Sequence, residues 1–169
     1  GGAVGKPPPL SHPPWLGEKG GFNNDSGVED IRRYVAKVVD VLGDLVPKWI
    51  TINEPITYAV LRYLTGDFPH TKRGLGAFNE GIGHLLRCHA AAYHAIKERY
   101  PAAMVSTADN MQVFEAPPDG NTLDRWWAKR VSWLYNDAWP AALHSGVFRS
   151  PFGRHKIKGL AGTADFSGI

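Results

Sequence analysis

Lys48-Trp49-Ile50-Thr51-Ile52-Asn53-Glu54-Pro55 decides the fold. Trp49, Ile50, Thr51 and Ile52 are aromatic or β-branched, and a short apolar run without clean alternation is the pattern of a strand covered on both faces, as in parallel α/β sheets. Pro55 has no N–H to give to a ladder, so the strand stops there. Asn53 and Glu54 therefore stand at its C-terminal end, where α/β proteins collect their active-site residues. Two readings of Glu54 are open at this point: an acid presented for chemistry, or a carboxylate that caps the turn that follows.

Working outward, the chain alternates between helical and strand periods. Ser26-Gly27-Val28-Glu29 has the form of a capping box, and Val28, Ile31, Val35, Val38 and Leu42 follow at helical spacing until Gly43, predicting a helix over 28–42. Ile82, Leu85, Leu86, His89, Tyr93, Ile96 and Tyr100 mark a second helix, ended by Pro101. Residues 102–108 then read as a strand. Leu123, Trp126, Trp127, Arg130, Leu134 and Ala138 outline a third helix, and 163–169 opens one more strand. Strand–helix alternation of this kind argues for βα units around a parallel sheet.

Bulk properties exclude several classes. Apolar residues make up 43% and charged residues 21% of the 169, which is ordinary for a globular enzyme. A net charge of +3, scattered along the chain, does not suggest nucleic acid. The one basic cluster, Arg154-His155-Lys156-Ile157-Lys158, reads as a solvated loop. No stretch approaches the length of a membrane span. A single cysteine, Cys88, rules out a disulfide within these 169 residues and favours a reducing, cytoplasmic setting.

Beyond the first strand the chain runs Asn53-Glu54-Pro55-Ile56-Thr57-Tyr58 and then Tyr63-Leu64-Thr65-Gly66-Asp67-Phe68-Pro69. Here it resembles glycoside hydrolase family 1, the retaining β-glucosidases and β-galactosidases. Trp15-Leu16, Glu18-Lys19-Gly20-Gly21-Phe22 and Thr163-Ala164-Asp165-Phe166 are similar to family segments in the family's order. The resemblance implies a (β/α)₈ barrel, which takes about 250 residues and rarely fewer than about 200. With 169 residues, the expected fold class is α/β, a partial (β/α)₈ TIM barrel running roughly from the end of strand three to strand six. Residues 12–169 are expected to form this incomplete barrel. Residues 1–11, rich in Gly and Pro, read as a loop or non-family segment.

Retaining glycoside hydrolysis needs two carboxyl groups about 5 to 5.5 Å apart, one a nucleophile and the other an acid and then a base. By resemblance Glu54 is the acid/base. Asn53 matches the family residue that hydrogen-bonds the sugar 2-hydroxyl, a contact that strengthens in the transition state. Asn110, after the next strand, matches a second family asparagine at the substrate. The family nucleophile is a glutamate in Ile/Val-Thr-Glu-Asn-Gly on strand seven, and no such motif occurs in these 169 residues. Asp109 is a poor substitute, because the carboxylate spacing tolerates little error. Leu10-Ser11-His12 stands as a shortened form of the family's His-bearing element, and His12 does not align with the sugar-binding histidine. Arg62 and His70 stand where glycine and proline are usual in the family.

Other constellations carry less. His84, His89 and His94 are spaced by five, which turns about 140° around a helix, so they share no face for a metal; one core histidine and two surface ones are expected. Gly74-x-Gly76 lacks the third glycine of a dinucleotide fingerprint. Trp126, Trp127, Trp133, Tyr135 and Trp139 are expected to pack within the core and between helices. The resulting expectation is a β-glycosidase fragment with the acid/base half of a retaining mechanism, acting on a β-glucoside or related glycoside without cofactor or metal. It engages neither nucleic acid nor membrane and can self-associate through open barrel edges. The alternative is a non-catalytic sugar-binding or assembly fragment that needs a second chain.

Overall fold

The computed structural model describes residues 25–67, 72–151 and 153–169. His12, Trp15-Leu16, the 18–22 segment, Phe68-Pro69 and His70 lie outside the described residues, as does the 1–11 segment.

Helix α1, Asp25–Leu42, leads into strand β1, Lys48–Asn53. The helix begins before Ser26, so the Ser26–Glu29 box is not its start; Glu29 instead pairs with Arg32 along the helix at 2.7 Å. Short helix α2, Pro55–Ala59, leaves β1 directly and passes into a π turn, Val60–Thr65. The long crossover helix α3, Leu75–Arg99, then returns the chain to strand β2, Met104–Ala108. β1 and β2 pair in parallel with Trp49 opposite Val105 and Asn53 opposite Ala108, and the register shifts between Ile50 and Asn53. Such an irregularity re-aims the side chains at a strand end.

After β2 come helix α4, Thr122–Ser132, a π turn at Trp133–Asp137 and helix α5, Ala138–Ser145. α4 starts on a complete capping box between Asn121 and Asp124. An antiparallel hairpin follows, β3 Val147–Ser150 with β4 Gly153–Lys156. This corrects the solvated-loop expectation for 154–158. His155 lies over Phe148 with ring centroids 6.5 Å apart, and Ile157 is buried, while Arg154 and Lys156 face out.

The last segment reaches β2 on the edge opposite β1. Asp165 N–H donates to Val105 O and Val105 N–H to the Asp165 carboxylate, and Gly168 forms a parallel bridge with Ala108. Among the described residues the predicted final strand is this single bridge. Burial raises the Asp165 acid, but bonds from Lys97, Val105 N–H and Tyr93 outweigh it and hold the carboxyl below its usual range. Among the described residues the sheet order is thus β1, β2, then the 165–168 segment, with no closed ring.

Two apolar clusters hold this arrangement. Val39 of α1 meets Ile96, Ala103 and Val105, with Trp49 against them. The larger cluster joins Ile56, Tyr63, Phe78, Ile82, Leu86, Trp139, Leu143 and Phe148. Close approach at one point requires glycine: a Cβ on Gly81 would lie 2.2 Å from the Tyr63 ring. β1 itself departs from expectation. Ile50 is 46% exposed, so one face of the strand is uncovered by the described residues. Two parallel strands and a bridge do not enclose a barrel interior, which is what would cover it.

The histidine and tryptophan expectations also need correction. His84 and His89 are both buried and His94 alone is exposed. They meet Arg87, Thr51 with Thr163, and the Gly159 carbonyl respectively, three separate surroundings. Only Trp139 of the five aromatics is fully buried, whereas Trp126, Trp127 and Trp133 are 46%, 51% and 37% exposed. Residues 126 and 127 are neighbours on a helix, so a single buried stripe cannot take both.

Candidate active site

Glu54 is the one non-glycine with positive φ among the described residues, at φ 47° and ψ 58°. Pro55 disfavours right-handed helical geometry in the residue before it, yet α2 begins at Pro55 itself. The left-handed backbone reconciles the two. Such a conformation costs of order 1–3 kcal/mol and persists where surrounding structure enforces it. Here Glu54 N–H donates to Ala108 O at 2.7 Å, and Glu54 O accepts from Tyr58 N–H at 2.9 Å.

The carboxylate does not cap α2: its side chain makes no bond to that helix start. It accepts instead from Asn110 Nδ2 at 3.3 Å. The parallel ladder brings these residues together, since each follows the C-terminal end of one of two paired strands. Asn53 sits one residue before Glu54, exposed at the end of β1 and opposite Ala108. Glu54 and Asn110 are half-buried. Asn53, Glu54 and Asn110 therefore occupy adjoining strand ends, as the sequence placed them.

Asp109 belongs to the same rim. Its N–H donates to Gly168 O at 2.9 Å and its carboxylate accepts from the Thr107 hydroxyl at 3.2 Å. Burial pushes its acid above the usual range, with the Thr107 bond opposing. Asp109 lines a cavity of about 500 Å³ together with Ser106, Asn136, His144, Phe166 and Ser167. Neither Glu54 nor Asn53 lines that cavity.

What sequence reasoning missed lies underneath. Thr57 on α2 meets the Tyr135 hydroxyl at 2.6 Å. Asn136 bonds both backbone groups of Gln112, and Trp139 Nε1 donates to Thr107 Oγ1 at 3.2 Å. Tyr135 and Asn136 lie in the π turn after α4 and Trp139 on α5; the sequence marked Tyr135 and Trp139 only as packing residues, and nothing in it marked Asn136.

The model of the glycosyl hydrolase family 1 matches residues 10–153. The chain belongs to glycosyl hydrolase family 1. Within this family, a β-galactosidase of Pyrococcus woesei is 28% identical over 152 residues, covering 83% of the chain and 28% of that protein. Lactase/phlorizin hydrolase of Rattus norvegicus is 34% identical over 89 residues, or 52% of the chain and 5% of its own length. Among solved structures, a β-glycosidase from Pyrococcus horikoshii superposes with a TM-score of 0.76 at 27% identity, covering 86% of the chain and 33% of that structure. A rice β-glucosidase gives 0.79 at 22% identity over 95% of the chain and 39% of its own, a likeness of fold. The chain therefore spans a minor part of each of these relatives, and its fold is a partial (β/α)₈ barrel of the β-glucosidase and β-galactosidase type.

Proposed function

We propose that Glu54 is the general acid/base of a retaining β-glycosidase, with Asn53 and Asn110 at the sugar. One observation carries this reading: Glu54 holds a strained left-handed backbone and spends its carboxylate on no cap of α2, leaving it at a strand end with the Asn110 amide as its hydrogen-bond partner among the described residues. A structural cap would use that carboxylate on the N–H groups of α2. The residue's tasks are to give a proton to the leaving oxygen and later to take one from water. Asn53, exposed at the same rim, is available to a sugar hydroxyl.

In this proposal residues 12–169 supply the acid/base half of the mechanism, and the nucleophilic carboxylate comes from outside these 169 residues. The substrate is a terminal β-glucoside or closely related glycoside, in keeping with the relatives' names. A reducing, cytoplasmic setting rests on the single cysteine, Cys88, whose buried thiol is pushed up to about 12 by desolvation. The test is the leaving-group profile of Glu54→Gln in a protein that also carries the Thr-Glu-Asn-Gly strand. Selective loss on poor leaving groups supports the reading, and equal loss on all of them overturns it.

A second reading has its own observation. Ile50 and Met104, 46% and 36% exposed on paired strands, leave an apolar sheet face that another polypeptide can cover. On this reading the chain is an assembly fragment, active or not according to its partner.

A further inference from the structure

Between α4 and α5 the helix widens into the π turn Trp133–Asp137. Such turns occur mostly as single inserts and frequently at functional sites. Two successive side chains of this one reach the segments that follow Glu54 and Asn110. Tyr135 meets Thr57 Oγ1 at 2.6 Å, on the helix that starts immediately after Glu54. Asn136 accepts from Gln112 N–H at 3.0 Å and donates through Nδ2 to Gln112 O at 2.8 Å, two residues beyond Asn110.

We propose that Asn136 is a positioning residue: its two-bond bracket on Gln112, steadied by Tyr135 on Thr57, fixes where Asn110 stands against the Glu54 carboxylate. The need for a bracket is plain from the topology. No helix or strand lies between Ala108 and Thr122, so this stretch has no ladder to hold it. A carboxamide is the side chain that matches one backbone N–H and one C=O at once, since it carries an acceptor and a donor in one plane. A carboxylate lacks the donor, and alanine lacks both. The ring of Phe114 adds an apolar contact to the same clamp, 5.3 Å from the Tyr135 centroid. Importance for hydrolysis rests on the role proposed for Glu54; the bracket itself does not.

The test is the side-chain amide NMR spectrum of the ¹⁵N-labelled 169-residue chain. Glu54→Ala should move the Asn110 Nδ2 protons upfield, because it removes their acceptor. Asn136→Ala and Asn136→Gln should move the same signals the same way. Gln keeps the amide but is one methylene too long to meet both groups of Gln112, and it carries the test alone if the alanine variant does not fold. The Trp139 indole signal, from the bond to Thr107, should stay at its wild-type position. Asn110 signals unmoved in a folded Asn136 variant, or unmoved in Glu54→Ala, overturn the proposal. So does a Trp139 signal that moves together with them, which marks general loosening. Because no sugar is turned over, failure here leaves the role of Glu54 standing, and failure of that role leaves the bracket standing.

Discussion

His89 Nδ1 lies 2.6 Å from the Thr51 hydroxyl, and the opposite ring nitrogen lies 2.8 Å from the Thr163 carbonyl. A carbonyl only accepts, so Nε2 carries the proton and Nδ1 takes one from Thr51. One neutral imidazole on α3 thus ties β1 to the segment that bridges β2. Desolvation lowers its pKa from 6.5 to about 4, against the opposing Thr163 bond.

The pH dependence of stability follows. The unfolded imidazole takes up a proton as pH falls below 6.5, whereas the folded one resists until about 4. Stability from this group is therefore complete above pH 6.5 and is lost progressively down to about pH 4. The contribution is about 3 kcal/mol at most. Denaturant titrations at several pH values, compared with His89→Gln, should show a wild-type loss across this window that the variant lacks. Parallel curves would contradict it.

Gly81→Ala separates packing from helix propensity. Gly81 lies inside α3, where alanine is favoured over glycine by about 1 kcal/mol. A Cβ there would sit 2.2 Å from the buried Tyr63 ring. Overpacking of this kind costs about 1–3 kcal/mol, so the variant should melt lower than wild type. A raised melting temperature would mean that Tyr63 does not pack where described.

The isolated 169-residue chain should leave an aryl β-glucoside intact. Without a second carboxylate in place no glycosyl-enzyme forms, and acid catalysis alone supplies about 10²- to 10⁴-fold. Turnover by purified chain that vanishes in Asp109→Asn would promote Asp109 to nucleophile.

The same chain should self-associate. β1 offers an edge that β2 does not cover, and Ile50 beside it is 46% exposed; open apolar edges recruit further strands. Light scattering should give a concentration-dependent mass. A sharp monomer at all concentrations, with cooperative unfolding, would count against it.

The sequence was most legible where local chemistry and topology agree. The run 49–52, ended by Pro55, placed Asn53 and Glu54 at a strand end, and the apolar 102–108 segment supplied the partner strand. The hairpin β3–β4 was legible in principle: His155 and Ile157 alternate with Arg154, Lys156 and Lys158, but the charge density hid a two-residue period. Exposure of Ile50 was not legible, because apolar content says that a residue can be buried and not that a neighbour exists to bury it. The left-handed backbone of Glu54 was hinted at by Pro55 alone. Asn136 had no local signal, since its role depends on a change of helical register and on Gln112, which lies in an irregular segment.

Azide rescue of Glu54→Gln, in a protein that carries the remaining strands, tests the acid/base role of Glu54 most directly. If Glu54 is the acid/base, the variant forms glycosyl-enzyme from activated aryl glycosides but cannot activate water to release it. Azide needs no such activation. Its addition should restore turnover and yield a β-glycosyl azide, with little effect on the unsubstituted enzyme. If Glu54 is only a structural residue, Glu54→Gln lowers the rate on every substrate alike, and azide changes nothing.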